Sequence, residues 1–219
     1  MDFKSKLKAD LSEGYLKIKD NGNNDIALLS IVSENDLDDY DFIRRMTEWR
    51  ERFATCFFTV FKPTTERTRK WMETSLLPNP DRVMCKIFTT DMRLVGHIGA
   101  ISHGSYVEYD YFIRGEKVGI KDFSLVVSAR FLKWVTEVSG LKSIKGFTMS
   151  DNQRLINLVV KEGFRLGKKH PLKRRYISPD EYALEIDESL TDPEVYMIEI
   201  EASAGDLRIP SGDETGGIG

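Results

Sequence analysis

The sequence predicts an α/β (α+β) fold: a mixed, mostly antiparallel central sheet with helices on both faces. Two patterns predict it. Three apolar runs joined by short polar turns between Arg82 and Ile113 read as an antiparallel meander. After them, long helical periodicities alternate with short apolar runs, the order of βαβ crossovers.

The elements follow in order. Residues 1–24 are polar and end in Asp20-Asn21-Gly22-Asn23-Asn24, which predicts an N-terminal arm with a short strand at Tyr15–Ile18. Ile26–Val32 is a β-type run. Ser33-Glu34-Asn35-Asp36 reads as a capping box that opens an amphipathic helix, with Leu37, Tyr40, Ile43, Met46, Trp49 and Phe53 at helical spacing. Phe57–Phe61 is extended. Pro63-Thr64-Thr65-Glu66 opens a second helix, and Pro78 and Pro80 stop it. The meander is Arg82–Phe88, Arg93–Ser102 and Tyr106–Ile113, turned at Thr89-Thr90-Asp91 and His103-Gly104. A loop, Arg114–Lys121, leads to a helix with Phe123, Val127, Phe131, Trp134, Val135 and Val138 on its buried face, ended by Gly140. Ser143–Met149 is a strand. Ser150-Asp151-Asn152 caps a helix over Gln153–Glu162, which Gly163 closes, and Phe164–Leu166 starts a strand. A basic, Pro-containing connection over 167–190 precedes a last strand at Val195–Glu201. The organisation expected is an arm (1–24), one domain (25–201) and a flexible tail (202–219).

Composition bounds the function. The 219 residues carry a net charge of −3, which implies no bulk attraction to nucleic acid or to an anionic membrane. The one basic cluster, Lys168, Lys169, Lys173, Arg174 and Arg175, is short and is interrupted by His170 and Pro171, a poor nucleic-acid footprint. Cys56 and Cys85 lie in apolar stretches and read as buried free thiols. They and the three histidines lack metal-ligand spacing, so no metal is expected. The charged N-terminus lacks a signal-peptide core, and no apolar run reaches membrane-span length. A cytoplasmic protein without a membrane partner is expected.

Four segments are candidates for chemistry. The stretch from Asn152 to Gly163-Phe164 puts an Asn at the start of a helix and a Gly-Phe pair at its end. The loop Arg114-Gly115-Glu116-Lys117-Val118-Gly119-Ile120 lies between a strand and a helix. Such a loop turns backbone N–H groups toward one point, where the helix N-terminus favours an anion. On the preceding strand, alternation places Glu108, Asp110 and Phe112 on one face and Val107, Tyr109 and Tyr111 on the other. Two carboxylates on a central strand are costly unless that face meets water, a partner or a substrate. His97 lies on the neighbouring strand, and its ordinary pKa suits a base at neutral pH.

The element order and these segments resemble the GNAT (N-acetyltransferase) superfamily over Ile26–Leu166. The acid at Glu108 resembles its ribosomal-protein N-terminal acetyltransferase branch. Trp49-Arg50, the aromatic Phe57–Phe61 run, the Thr65–Trp71 segment and Arg114-Gly115-Glu116-Lys117 resemble members that acylate nucleotide-linked amino sugars. The sequence departs from the superfamily pattern twice: Lys117 replaces a loop glycine, and Val159 stands where a general-acid Tyr is common.

The resemblance implies an acyltransferase that uses acetyl-CoA as cosubstrate to acylate a primary amine, as a monomer or homodimer. Tyr111, Phe112, Ile113, Arg114, Lys117, Val118, Gly119, Ile120, Lys121 and Asn152 would hold the cosubstrate. Glu108, Asp110 or His97 would be the base, and Trp49 and Arg50 would meet the acceptor. The acceptor stays open between a sugar nucleotide, a protein N-terminus, an amino acid and a polyamine. A non-catalytic CoA-binding or interaction module is the reading from another class.

Overall fold

Ten strands form one sheet in the order β1-β2-β4-β5-β6-β7-β10-β8-β9-β3 in the computed structural model, which describes residues 1–11 and 13–210. The strands are β1 Leu16–Lys19, β2 Asp25–Ile31, β3 Thr59–Val60, β4 Arg82–Phe88, β5 Leu94–Ser102, β6 Val107–Arg114, β7 Ser143–Met149, β8 Arg165–Ser178, β9 Glu181–Ile186 and β10 Val195–Ser203. The helices are α1 Phe3–Asp10, α2 Tyr40–Arg52, α3 Thr65–Trp71, α4 Phe123–Ser139 and α5 Gln153–Glu162. Every pairing is antiparallel except that of β6 with β7. The mixed sheet flanked by helices is the fold class the sequence predicts.

Helices cover both faces. On one, α1, α4 and α5 bury Phe3, Leu7, Phe131, Val135 and Val159 against Leu29, Ile87, Ile98 and Ile144 of the sheet. On the other, α2 and the turn after α3 pack Phe42, Ile43, Met46, Met72 and Leu76 on Val32 and Met84. Gly140 and Gly163 end α4 and α5 in the left-handed region, the expected glycine stops. Helix α2 starts later than the capping box suggests. Asp36 accepts from Ser33 N at 2.7 Å, but Glu34–Leu37 form a 3₁₀ turn, and Asp39 caps the α-helix itself. Among the described residues no helix is long and apolar enough to cross a membrane.

Four expectations need correction. The N-terminal arm contains a docked helix. Phe3 and Leu7 of α1 enter the core, Lys4 Nζ donates to Leu76 O (2.9 Å) and Leu77 O (2.8 Å), and Trp134 Nε1 donates to Asp10 Oδ2 (2.7 Å). With only Phe3 and Leu7 as buried apolar anchors, α1 is too short to show periodicity.

The 167–190 connection is instead a β8–β9 hairpin, and β10 inserts between β7 and β8. Most of β8 is exposed on both faces, so no alternation marks it. Its basic cluster is met by acids of the same region: Lys168–Glu188 (3.1 Å), Lys173–Asp187 (2.8 Å), Arg174–Glu194 (3.2 Å) and Arg175–Glu185. The expected tail begins in β10, and Leu207 is buried; residues 211–219 lie outside the described residues. Cys85 is buried as expected, whereas Cys56 is exposed, and both are free thiols.

One buried acid makes the fold pH-sensitive. Glu162 is fully buried at the end of α5 beside the Tyr109–Ser128 hydroxyl pair (2.6 Å). Burial raises its pKa to about 8, and Ser128 offsets this only in part. The folded state therefore keeps a proton that the unfolded chain releases near 4.5. Its contribution is complete below that pH and is lost as pH rises through about 8. Glu162→Gln is expected to abolish this dependence, a difference of roughly 1 kcal/mol per pH unit between variant and wild type. Urea midpoints measured from about pH 5 to about pH 8 check it.

Candidate active site

The geometry starts at β6. It pairs with β5 on one side along its length, but with β7 only at Val107↔Ile144 and Glu108↔Lys145. From Tyr109 onward β6 has no ladder partner on β7, and the two strands diverge. Within this unpaired stretch Tyr111 adopts φ 50°. Pairing jumps from Asp110↔Gly99 to Ile113↔His97, so Tyr111 and Phe112 together oppose Ile98 in a β-bulge. A left-handed tyrosine is strained and must be held by its surroundings. His97 Nδ1 lies 2.7 Å from Tyr111 O.

The bulge changes the face assignments. Strict alternation puts Phe112 with Glu108 and Asp110; the extra residue puts Tyr111 there instead. Phe112 turns to the α4 side, 6.2 Å from the Tyr109 ring. Tyr111 packs edge-on against Trp71 at 5.3 Å, and the Arg82 guanidinium sits 5.4 Å above its ring.

The polar groups on this face differ in state. Asp110 is mostly buried, with 19 % of its side chain exposed, and its Oδ2 lies 4.0 Å from Arg82 Nε. Burial raises its pKa to about 7; Arg82 opposes the shift and Glu108 adds to it. Glu108 pairs with His103 Nε2 at 2.6 Å, nearer the solvent. Arg50 Nη2 donates to Thr59 O (2.7 Å), its guanidinium stacks 3.4 Å from the Phe57 ring, and burial lowers its pKa to about 10. Arg50 therefore stays charged at neutral pH.

His97 does not fit the expected role of base. It is buried, and burial pulls its pKa down to about 4. A neutral imidazole facing a carbonyl must carry its proton on Nδ1. His97 thus donates to Tyr111 O and holds the bulge.

Trp49 is also corrected. It does not wall an acceptor site but is fully buried under the loop after β6. A Cβ on Gly115 would come within 2.0 Å of its ring, so only glycine permits the contact. Trp49 Nε1 donates to Glu116 Oε1 (3.0 Å), and Arg52 Nη1 donates to Gly115 O (2.6 Å). Gly115 N and Glu116 N both donate to Val95 O, at 2.8 and 3.1 Å. Glu116 is thereby turned toward α2.

Past this anchor, Arg114 and Lys117 are exposed, Val118 packs on the α4-side core, and Gly119, Ile120 and Lys121 are exposed. Helix α4 then begins after Asp122, itself at φ 53°, with no side-chain cap and no acid in its first turn. The first N–H groups of a 17-residue helix are left open to an anion. Asn152 caps α5, its Oδ1 accepting from Leu155 N at 3.2 Å. Val159 is fully buried.

Neither Arg82 nor His103 stood out as a site residue in the sequence; Trp71 entered only within the Thr65–Trp71 segment, and Tyr111 only as a cosubstrate residue. The register could have pointed to Arg82: Arg82, Ile101 and Glu108 are consecutive partners across β4, β5 and β6. His103 carried only a turn signal. Among the described residues, no cluster of His, Cys, Asp or Glu could hold a metal ion.

No family model matches the sequence, and no curated protein matches it. Solved structures do match the fold. One is spermidine N-acetyltransferase from Vibrio cholerae in complex with CoA and spermine, at TM-score 0.62 and 14 % identity, covering 84 % of this chain and 98 % of that one. Another holds mutant forms of the spermidine/spermine N-acetyltransferase SpeG from Vibrio cholerae, at TM-score 0.58 and 14 % identity, covering 83 % and 96 %. A third, described provisionally as an acetyltransferase, matches at TM-score 0.61 and 14 % identity, covering 88 % of each chain. The chain has the fold of the GNAT acyltransferases.

Proposed function

We propose that the protein is an N-acetyltransferase that moves an acetyl group from acetyl-CoA to the primary amine of a small molecule, with a nucleotide-linked amino sugar as the finer candidate. The observation that carries this reading is the divergence of β6 from β7 at the Tyr111 bulge, next to the uncapped start of α4. One neighbour, spermidine N-acetyltransferase from Vibrio cholerae, is in complex with CoA and spermine, which supports a CoA-dependent reaction on an amine.

The residues present fit the cosubstrate. Open N–H groups at α4, with Lys117 exposed and Glu116 turned away, suit a pyrophosphate. The β6 edge from Tyr109 to Arg114 offers backbone groups to an extended amide arm, as a missing strand would take them. When bound, acetyl-CoA supplies an activated acyl carbonyl. The Phe112 N–H, at the bulge, would polarise that carbonyl, since the Tyr111 N–H is engaged by the Asp110 carboxylate. Asp110 would take one proton from the acceptor ammonium; the freed amine would form the C–N bond as the C–S bond breaks, and the second proton lost by that nitrogen would end on the departing sulfur, directly or through water. Glu108 and His103 link this acid face to bulk water. His97 is a positioning residue.

A small acceptor is favoured over a polypeptide N-terminus by the hairpin. β3 pairs with β9, Leu184 N donates to Phe58 O (2.7 Å), and Arg67 pairs with Glu181 (2.6 Å). The α2–α3 connection is thereby tied to β9, which narrows the approach beside Phe57 and Phe61.

Thermal unfolding with acetyl-CoA tests the reading. At ~100 times its Kd the ligand should stabilise the fold by about 2.7 kcal/mol. At about 2–4 °C per kcal/mol for a chain of this size, Tm should rise by several degrees. Phosphate alone should not match it. No rise at millimolar acetyl-CoA would leave the non-catalytic module as the reading.

A further inference from the structure

Among the described residues, three of the five buried side-chain polar atoms that lack a hydrogen-bond partner lie in one place. Apart from the Glu162 carboxyl, those among the described residues are Arg50 Nη1, Arg82 Nε and Asp110 Oδ2. They belong to three elements, α2, β4 and β6, and meet around one side chain. Arg82 lies over the Tyr111 ring, Asp110 precedes Tyr111, and the charges of Arg82 and Arg50 are both felt at its phenol. Unpaired buried donors are rare because each costs the full desolvation of its group. Two guanidinium donors and one carboxylate acceptor lack hydrogen bonds on this face, with Arg82 Nε and Asp110 Oδ2 only facing each other at 4.0 Å, and together they suit a ligand with the opposite pattern.

We infer that this subsite reads an oxyanion on the acceptor, a carboxylate or a phosphate, through Arg50 and Arg82, while the acceptor amine meets Asp110. The substrate is then a zwitterionic amine and not a polyamine. The inference rests on the acetyltransferase reading and names the substrate class of that same site. Asp110 faces Arg82 at 4.0 Å without a hydrogen bond and so offsets one cation at most; the other carboxylates nearby are engaged elsewhere, Glu108 with His103 and Glu181 with Arg67. Thr59 O and the Phe57 and Phe61 rings orient Arg50 and leave its Nη1 without a carboxylate partner. A polyamine would bring further positive charge against Arg50 and Arg82, with Asp110 alone to balance it. A phosphate suits the paired guanidinium groups as well as a carboxylate does.

The test uses β-alanine, O-phosphoethanolamine and ethanolamine, which share the same short spacer from nitrogen, together with the dication putrescine. Each is titrated into the full chain saturated with CoA, so that the loop before α4 is already occupied and the remaining Tm rise reports the acceptor subsite. One or both anionic amines should bind about 10-fold or more tightly than ethanolamine, with putrescine weakest. β-Alanine against O-phosphoethanolamine decides between carboxylate and phosphate. Arg82→Gln and Arg50→Gln should each erase the preference, and the CoA-induced rise, read first on each variant, shows that it folds. Equal binding of ethanolamine and both anions, tightest binding of putrescine, or no binding of either anion would overturn the inference. If CoA itself produces no rise, the acetyltransferase reading fails separately, and the anion preference is judged by comparing wild type with Arg82→Gln.

Discussion

An Asp110→Asn enzyme should lose about 10²- to 10⁴-fold in kcat/KM near neutral pH, the range set by removing a general base. The argument is one of matching. A base works best when its pKa lies near the operating pH, and burial places Asp110 at about 7. The wild-type rate should therefore rise as pH passes through about 7, and the variant should lose that limb. Stability separates chemistry from folding. A carboxyl whose pKa is raised by folding favours the fold below its unfolded value of 3.8 and loses that contribution as pH climbs through about 7. The Asn variant, which carries no charge, should be at least as stable as wild type above that pH. A slow but well-folded variant with a flattened pH profile supports the role. Glu108→Gln is the control: full kcat/KM across pH would remove Glu108 as the base, and a loss as large as that of Asp110→Asn would move the role to Glu108.

The largest effect on stability is expected at Trp49. Truncation of a fully buried tryptophan to Ala costs about 3–5 kcal/mol. That is a large fraction of the about 5–15 kcal/mol of a typical domain. The Trp49 ring also holds Gly115 and Glu116, so its loss should loosen the loop that leads to α4. Trp49→Phe keeps most of the packing but removes the Nε1 donor, and it should raise the KM for acetyl-CoA more than the KM for the acceptor. Urea unfolding and separate KM measurements check both parts. A rise confined to the acceptor KM would restore Trp49 to the acceptor wall.

Much of the architecture was legible in the residues. The meander, α4, β7 and α5 have strong periodicity and end at glycines or caps, so local physics sets both their type and their bounds. The loop before α4 and the acidic strand were legible as candidates for the same reason. The Phe57–Phe61 run was legible as extended but not as the β3 strand bonded to β9, because that partner lies more than a hundred residues away. Helix α1 and the β8–β9 hairpin were not legible: the first is too short for a pattern, and the second, exposed on both faces, shows no alternation.

The sequence by itself determined which chemistry is available: two carboxylates on a central strand, a glycine-bearing loop before a long helix, and no tyrosine at position 159. Only the tertiary structure decided how those groups are used. The bulge at Tyr111 is set by pairing with β5 and by the His97 contact, and it moves Tyr111 onto the acid face. Burial, which depends on what packs above a side chain, shifted Asp110 to about 7 and His97 to about 4, and so favours the first as base over the second. Trp49 became an anchor because α2 lies over Gly115. Periodicity is local and can be read along the chain; register shifts, desolvation and orphaned donors exist only once distant elements meet.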